Sequence, residues 1–249
     1  MEYHTYTEHA VVLNADGDYR RMLKPSALLR YVEQAAADHA RAYGMDDAFF
    51  KAQHTAFLVG KQAVQIRRMP LRAEKLTLVT ACEQCKKGSM KRVTWILDEA
   101  GRELAMVDSR WIVVDTTVER IVRQPGWTTP GFWNEDVAEE LPQLVHKSKD
   151  LLSAGTHLAS YSLCDLNRHV NNASYLDIAC DAIPPEAFEA GPLRFASVKY
   201  HREIPMGSEF EVQYAPSNGG WYVVGRRGEH MAFECYLEFG EAEPVKEKE

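Results

Sequence analysis

One short stretch of the sequence concentrates polar side chains that could carry out acyl-transfer chemistry. Asp165, Asn167 and His169 alternate with Leu166 and Arg168, and two asparagines follow after Val170. In an extended segment alternate side chains point to the same side, so we expect the carboxylate, the amide and the imidazole to face one site. Carboxylates and imidazoles orient or activate nucleophiles and move protons. The stretch therefore favours an active site, although a plain turn is the alternative interpretation.

The same stretch runs into a predicted helix. The pattern over 172–183 is helical, with Asn172 near its N-cap and two prolines after its end. The first backbone N–H groups of a helix have no partner inside it and attract negative charge. We therefore expect the amides of Val170, Asn171 and Asn172 to hold a developing oxyanion. An Asp or Asn before a helix can equally be a cap with no other role.

The sequence lacks the motifs that mark several other kinds of site. It contains no Gly-x-Ser-x-Gly, no Walker A sequence, no Gly-x-Gly-x-x-Gly and no His-Glu-x-x-His. Cys82 and Cys85 have the spacing of half a zinc site, but no second pair completes it. Two strand cysteines on opposite faces explain the same spacing. We expect no metal and no cofactor.

The elements around the polar stretch form a pattern that occurs twice. Each copy is one strand, one helix and then about four strands rich in Val, Ile, Thr and aromatic residues. The first copy has a strand over 5–12, a helix over 25–43 and strands over 56–66, 76–82, 93–97 and 104–114. The second has a strand over 156–163, the helix over 172–183 and strands over 195–201, 210–214, 221–225 and 231–239.

This repeat predicts an α+β protein made of two small domains, each an antiparallel sheet that buries one helix. We expect domains at 1–131 and 151–240, joined by a linker at 132–150 and followed by a charged tail at 241–249. The region before and at the start of this linker is rich in proline, glycine and acidic residues, which is typical of a connection.

Composition narrows the function classes. The 249 residues include 29 Lys and Arg against 36 Asp and Glu, a net charge of −7, which argues against a nucleic-acid binder. No run is long and apolar enough to span a membrane, and the N-terminal residues resemble no targeting segment. The five cysteines do not suggest a disulfide framework. We expect a cytoplasmic protein.

The polar stretch resembles the signature of a known family. Asp165-x-Asn167-x-His169-x-Asn171-Asn172-x-x-Tyr175 is similar to the motif of acyl-acyl carrier protein (acyl-ACP) thioesterases of plants and bacteria. These tandem hot-dog enzymes hydrolyse fatty acyl-ACP and so end fatty-acid synthesis. The resemblance extends over most of the chain, through residues 23–26 with 32–36, 87–92 with Trp95, 105–114 and 198–203.

The resemblance implies roles for individual residues. Asp165, Asn167, His169 and Glu203 fall on the family's catalytic positions. Asp165 would be the nucleophile or the base that activates water, Asn167 would position the thioester, and His169 would pair with Glu203 to move a proton. Ile204 replaces the family's cysteine, so a Cys–His–Asn scheme cannot operate at that position.

One acidic residue stays outside this prediction. Glu33 lies in the middle of the first helix, where some single hot-dog enzymes carry a catalytic carboxylate. Its neighbours Val32 and Ala36 are expected to face the core, so Glu33 is not placed in the site.

The resemblance also implies a carrier-protein partner. Residues 60–93 contain nine Lys and Arg against two Glu, and a basic face would attract an acidic carrier protein. The expected docking residues are Arg67, Arg68, Lys86, Lys87, Lys91 and Arg92, although strands that merely expose their basic side chains would give the same count. The resemblance assigns acyl-chain choice to the first domain and catalysis to the second. An acyl-CoA thioesterase and a non-catalytic acyl-binding protein remain alternatives, and the protein is expected to be a monomer or homodimer.

Overall fold

The computed structural model describes residues 3–127 and 129–240, so the predicted tail at 241–249 lies outside the described residues. Helix α1 spans Pro25–Ala42 and confirms the predicted first helix. Proline at the start of a helix costs no hydrogen bond, because the first N–H groups have no partner inside the helix. Gly44 adopts a positive φ of 78° just after the end, as a C-terminal cap requires.

The first copy of the repeat has the predicted strands. They are β1 (Tyr6–Val11), β2 (Thr55–Ile66), β3 (Lys75–Cys82), β4 (Ser89–Leu97) and β5 (Glu103–Asp115). A two-residue strand, β6 (Arg120–Ile121), pairs with β5. A short helix, α2 (Asp47–Ala52), was not predicted; the Asp46 side chain caps it by accepting the Phe49 N–H.

The second copy repeats this arrangement with a shorter helix. Its elements are β7 (Leu152–Leu158), α3 (Ser174–Ala182), β8 (Leu193–Tyr200), β9 (Glu209–Ser217), β10 (Gly220–Arg227) and β11 (His230–Phe239). The strand predicted over 156–163 was partly wrong, because β7 ends at Leu158 and Tyr161–Leu163 is a turn of 3-10 helix.

The strand order shows that the two copies share one topology. The strands form one antiparallel sheet in the order β1-β3-β4-β5-β2-β8-β11-β10-β9-β7. Read outward from the centre, each half has the same sequence of strands, so the two copies are related about the β2–β8 seam. This confirms the predicted α+β repeat.

The copies are joined through both the sheet and the helices. At the seam β2 and β8 pair antiparallel, with Gln62 opposite Val198. On the helix side the Ser26 hydroxyl of α1 donates to the Asp177 carboxylate of α3 at 2.6 Å. One hydrophobic core includes residues from both halves. Among the helices of the described residues, none has the length and apolarity needed to cross a membrane.

Candidate active site

The stretch from Cys164 to Val170 is a closed turn and not the extended segment that the alternation predicted. Cys164 and Val170 pair as an isolated antiparallel bridge. Between them the Asp165 N–H donates to the His169 carbonyl at 2.9 Å, and the Arg168 N–H donates to the Asp165 carbonyl at 3.0 Å. The side chains therefore come together because the backbone folds back on itself.

The side chain of Asp165 explains why the strand prediction was wrong. Its Oδ1 accepts the backbone N–H of Asn167 at 2.8 Å. Local hydrogen bonds of this kind let Asp stabilise turns in competition with extended structure. Arg168 completes the turn in the left-handed region, at a φ of 63°. The same bond fixes the orientation of the Asp165 carboxylate.

Glu203 reaches the turn from the segment that follows β8. Its Oε2 lies 3.3 Å from Nδ1 of His169. The backbone supports this approach, because the Val170 N–H donates to the Ile204 carbonyl at 2.9 Å and His169 forms a bridge with Pro205. Ile204, at the position where the resemblance implies a cysteine, is fully buried. The two segments therefore place an imidazole and a carboxylate in contact.

These side chains line one groove between the two copies of the fold. The groove has a volume of about 480 Å³ and is lined by Asp165, Asn167, His169 and Glu203. Its apolar wall includes Leu58, Val59, Gly60 and Ile112 of the first copy. The β2–β5 register shifts between Val59 and Lys61, and such bulges bend a strand and redirect its side chains. The candidate site therefore combines a polar wall with an apolar one.

The predicted oxyanion donors are only partly available. The N–H groups of Val170 and Asn171 donate to the carbonyls of Ile204 and Leu163, each at 2.9 Å. Their assignment to an oxyanion was therefore wrong, because backbone carbonyls of the folded chain already accept these two N–H groups. The N–H of Asn172 has no hydrogen-bond partner within residues 3–127 and 129–240, and Asn172 lines the groove. It is the remaining donor of the three.

Tyr200, at the end of β8, is a site residue that sequence reasoning missed. It lines the groove, and its hydroxyl donates its single proton to the Gln62 side-chain oxygen at 2.7 Å, with the Asn172 carbonyl also within reach at 3.2 Å. Burial raises the pKa of Tyr200 well above its ordinary value, so the hydroxyl stays protonated. An aromatic residue in a strand normally indicates core, and only its place beside Glu203 could have suggested another role.

Glu33 of α1, which the sequence interpretation left outside the site, does not line the groove. Its Oε1 is shielded from solvent and has no hydrogen-bond partner among the described residues, and its carboxylate interacts electrostatically with Asp165. Burial raises the pKa of Glu33 to about 7. Helical spacing could have revealed this position, since Leu29 and Ala36, four residues before and three after, are both buried.

Two of the predicted docking residues are inside the protein, so their assignment to a docking face was wrong. Lys91 is 7% exposed and forms an ion pair with Glu83 at 2.9 Å. Arg92 is 3% exposed and donates to Nδ1 of His39 at 3.1 Å and to the Thr80 hydroxyl at 3.0 Å. Burial, together with the Arg92 charge, lowers the pKa of His39 to about 3, so the neutral ring accepts this bond. Neither cation can reach a partner protein.

The other predicted docking residues do not form one free basic face. Arg67 and Arg68 form ion pairs with Glu103 at 2.8 Å and Glu74 at 2.5 Å. Lys86 and Lys87 are exposed at the β3–β4 turn. A role in docking stays a prediction for all four residues, and the two exposed lysines are the stronger candidates.

Cysteines and other ligating groups do not come together. Cys82 is buried in β3, and its thiol donates to the Phe132 carbonyl at 3.4 Å. In the part of the chain that the structure describes, no three His, Cys, Asp or Glu side chains are arranged to hold a metal ion.

Comparison with known proteins identifies the class and then the family. The fold is a tandem of hot-dog units, as in the acyl-ACP thioesterase from Bacteroides thetaiotaomicron. That structure superimposes on this chain with a TM-score of 0.86 at 20% identity. The match covers 95% of this chain and 98% of the Bacteroides chain. The 12:0-ACP thioesterase from Umbellularia californica gives 0.82 at 18% identity, over 96% of this chain and 98% of its own. Family models of the acyl-ACP thioesterase N-terminal and C-terminal domains match residues 3–126 and 156–239. The chain belongs to the acyl-ACP thioesterase family.

Curated relatives show the same similarity in sequence. A chloroplastic palmitoyl-acyl carrier protein thioesterase of Cuphea hookeriana is 25% identical over 223 residues, which is 82% of this chain and 52% of the relative. The dodecanoyl-[acyl-carrier-protein] hydrolase of Cinnamomum camphora is 23% identical over 222 residues, 82% of this chain and 57% of the relative. The chain spans about half the length of the curated relatives it matches.

Proposed function

We propose that the protein hydrolyses the thioester of fatty acyl-ACP and releases a free fatty acid, the reaction that terminates fatty-acid synthesis. The observation that carries the proposal is the groove in which Asp165, Asn167 and the His169–Glu203 pair meet. Membership of the acyl-ACP thioesterase family supports the same reaction.

Asp165 is the residue to which we assign attack. Its carboxylate is oriented by the Asn167 N–H and lines the groove. It either attacks the thioester carbonyl directly, giving a mixed anhydride that water then hydrolyses, or removes a proton from an attacking water. Asn167 positions the thioester, and the N–H of Asn172 holds the oxyanion that forms on the carbonyl oxygen.

The His169–Glu203 pair handles the proton. Glu203 holds the imidazole by its Nδ1, so the other ring nitrogen is available to water or to the leaving group. A thiolate leaves more readily than an alkoxide because thiols are the stronger acids, so weak protonation suffices. The pair therefore orients water and shuttles a proton, and neither of its members has to attack the thioester carbonyl.

We propose separate roles for the two domains. The apolar wall of the groove, with Leu58, Val59 and Ile112, comes from the first domain, whereas the polar groups come from the second. The first domain, predicted at 1–131, would select the acyl chain, and the second, at 151–240, would carry out hydrolysis. The cytoplasmic location stays a prediction, as does a monomeric or homodimeric state.

An acyl-CoA thioesterase is the second candidate, and one observation keeps it open. The predicted basic face that favoured a carrier protein includes two buried cations and two that are paired with glutamates. Arg202 and Arg227 instead line the groove beside Glu203 and are exposed. Guanidinium groups bind phosphate well, and the phosphopantetheine phosphate is common to ACP and CoA.

The experiment that tests the function is thiol release from matched acyl-ACP and acyl-CoA thioesters of C8 to C18. We expect hydrolysis of acyl-ACP with a higher kcat/KM than that of the matching acyl-CoA. Faster turnover of acyl-CoA would establish the second candidate, and hydrolysis of neither would leave a non-catalytic acyl-binding protein.

A further inference from the structure

The first domain contains a turn with the same backbone as the turn that carries the candidate catalytic residues. Residues 17–23 close through an isolated antiparallel bridge between their two ends, as residues 164–170 do. Inside the first turn the Asp18 N–H donates to the Met22 carbonyl at 2.7 Å, and the Arg21 N–H donates to the Asp18 carbonyl at 3.0 Å. The corresponding two bonds close the second turn around its own aspartate, at 2.9 Å and 3.0 Å.

The aspartate of the first-domain turn is held in the same way as Asp165. Oδ1 of Asp18 accepts the N–H of Arg20, two residues on, at 2.8 Å, which is also the length of the corresponding bond to Asp165. An arginine in the left-handed region completes each turn, with a φ of 64° at Arg21 and 63° at Arg168. Positive φ is uncommon for a residue other than glycine, so the two turns share an unusual backbone.

The segment that faces each turn also corresponds between the domains. The Leu23 N–H donates to the Pro70 carbonyl at 2.8 Å. In the second domain the corresponding bond ends on the Ile204 carbonyl, at 2.9 Å. The residue before each of these carbonyls is Met69 in the first domain and Glu203 in the second, so these two positions are equivalent.

The side chains differ at three of the four catalytic positions. The first domain keeps the aspartate, as Asp18. Where the second domain has an asparagine, a histidine and a glutamate, the first has Arg20, Met22 and Met69. Methionine has no proton to donate and is only a weak acceptor, so the pair that moves the proton is missing. Nε of Arg20 lies 3.5 Å from Oδ2 of Asp18, and its Nη1 donates to the Phe188 carbonyl at 3.4 Å.

A cavity beside the first-domain turn repeats the construction of the groove. It has a volume of about 260 Å³ and is lined by Asp18, Arg20 and Met22 of the first domain. Apolar side chains of the second domain, among them Leu193 and Phe239, complete its lining. The groove likewise joins a turn of one domain to apolar residues of the other. The first domain therefore has a cleft beside an aspartate that is placed like Asp165.

We propose that residues 17–23 are a second, silenced copy of the hydrolytic site, with Asp18 at the position of the attacking group. Its substrate class is the acyl thioester. It is inactive because Arg20 pairs with the carboxylate and because Met22 and Met69 cannot move a proton. This inference rests on the proposed function, and it predicts that side-chain changes alone install hydrolysis in the first domain. The reaction consumes one water, breaks the C–S bond and gives a carboxylic acid and a thiol, so it needs no other reactant.

The test uses Asp165→Ala as its background, because the loss of attack in the second domain makes a gain in the first visible. One variant adds Arg20→Asn and Met22→His to this background, and another adds Met69→Glu as a third change. Met69 is buried, so the variant with two added changes decides if the third prevents folding. Each variant is checked for folding by circular dichroism, and thiol release from acyl-ACP is then measured.

The proposal predicts a gain of hydrolysis that depends on Asp18. Arg20→Asn with Met22→His should release thiol at least about tenfold faster than Asp165→Ala alone, since a positioned acid–base group contributes about 10² to 10⁴ when complete. Adding Asp18→Ala should return the rate to that of the background. Asp47→Ala, at the exposed start of α2, is the matched control and should leave the gained rate unchanged.

Two outcomes would overturn the inference. One is a folded variant with the added changes that stays at the background rate, and the other is a gained activity that survives Asp18→Ala. A crystal structure of Met22→His with Met69→Glu tests the equivalence of the turns without any turnover. The introduced imidazole and carboxylate should be in contact, as those of His169 and Glu203 are at 3.3 Å, and groups that point apart would contradict the proposal. If the wild type hydrolyses no thioester, the proposed function fails while this structure still decides whether the first turn duplicates the second.

Discussion

Replacing Glu33 by glutamine should stabilise the folded protein above neutral pH and have much less effect in acid. In the unfolded chain the carboxyl titrates near its ordinary pKa of 4.5, whereas burial raises the pKa to about 7 in the folded protein. Below pH 4.5 the group is protonated in both states and the pH dependence vanishes. Between pH 4.5 and 7 the unfolded state ionises first, so stability falls as the pH rises.

The size of the effect follows from the difference between the two pKa values. A shift of about 2.5 units corresponds to about 3 kcal/mol at pH values above both. Between pH 5 and pH 8 the free energy of unfolding should therefore fall by about 2 to 3 kcal/mol on account of Glu33. Glutamine cannot ionise, so Glu33→Gln should gain that amount relative to the wild type over the same interval.

Urea denaturation followed by tryptophan fluorescence at pH 5, 6, 7 and 8 measures this gain directly. Asp38→Asn serves as the control on the same helix and should not gain stability as the pH rises. A constant difference between Glu33→Gln and the wild type at all four pH values would refute the reasoning. It would mean that Glu33 titrates in the folded protein as it does in the unfolded chain.

Three further predictions concern the groove and the predicted docking region. Glu203→Gln should lower kcat for acyl-ACP by about a hundredfold through loss of the His169 pair, measured by thiol release. Ile112→Trp should shift the preferred acyl chain to shorter lengths in the C8 to C18 panel, because it fills the apolar wall; an unchanged preference would place the chain elsewhere. Lys91→Ala should cost about 3 kcal/mol of stability because it strands a partly buried carboxylate, whereas exposed Lys87→Ala should change stability by less than about 0.5 kcal/mol. If urea denaturation showed equal losses of stability for Lys91→Ala and Lys87→Ala, the burial of Lys91 and the exposure of Lys87 would be contradicted.

Periodicity was enough to predict most of the fold. The helix over 25–43 and the four strands that follow it are close to α1 and β2–β5, because apolar periodicity and Gly or Pro boundaries agree along this region. The repeat was also predictable, since both copies have the same order of elements. Helix α2 was missed because six residues carry too little periodicity to distinguish a helix from a loop.

The candidate site shows where local patterns stop being informative. Alternation predicted an extended segment at 165–169. The Asp165 carboxylate instead accepts the backbone N–H of Asn167, and this hydrogen bond turns the chain. The backbone N–H groups of Val170 and Asn171 were assigned to an oxyanion, yet the carbonyls of Ile204 and Leu163 already accept them. Such partners are set by tertiary packing and leave no local signal.

Charge counting failed for a related reason. Lys91 and Arg92 contribute to the basic excess of the 60–93 region, but the sheet buries both and supplies them with partners. A count of charged residues does not record which face of a strand they occupy. Glu33 is the converse case, because its helical neighbours already indicated a buried face.

Thiol release from acyl-ACP by the wild type and by Asp165→Ala, compared side by side, tests the central claim most directly. Both proteins should show the same circular dichroism spectrum, since Asp165 lies in a turn at the edge of the core. We predict that the wild type hydrolyses acyl-ACP and that Asp165→Ala is slower by at least about a hundredfold. A folded Asp165→Ala variant that retains the wild-type rate would contradict the account.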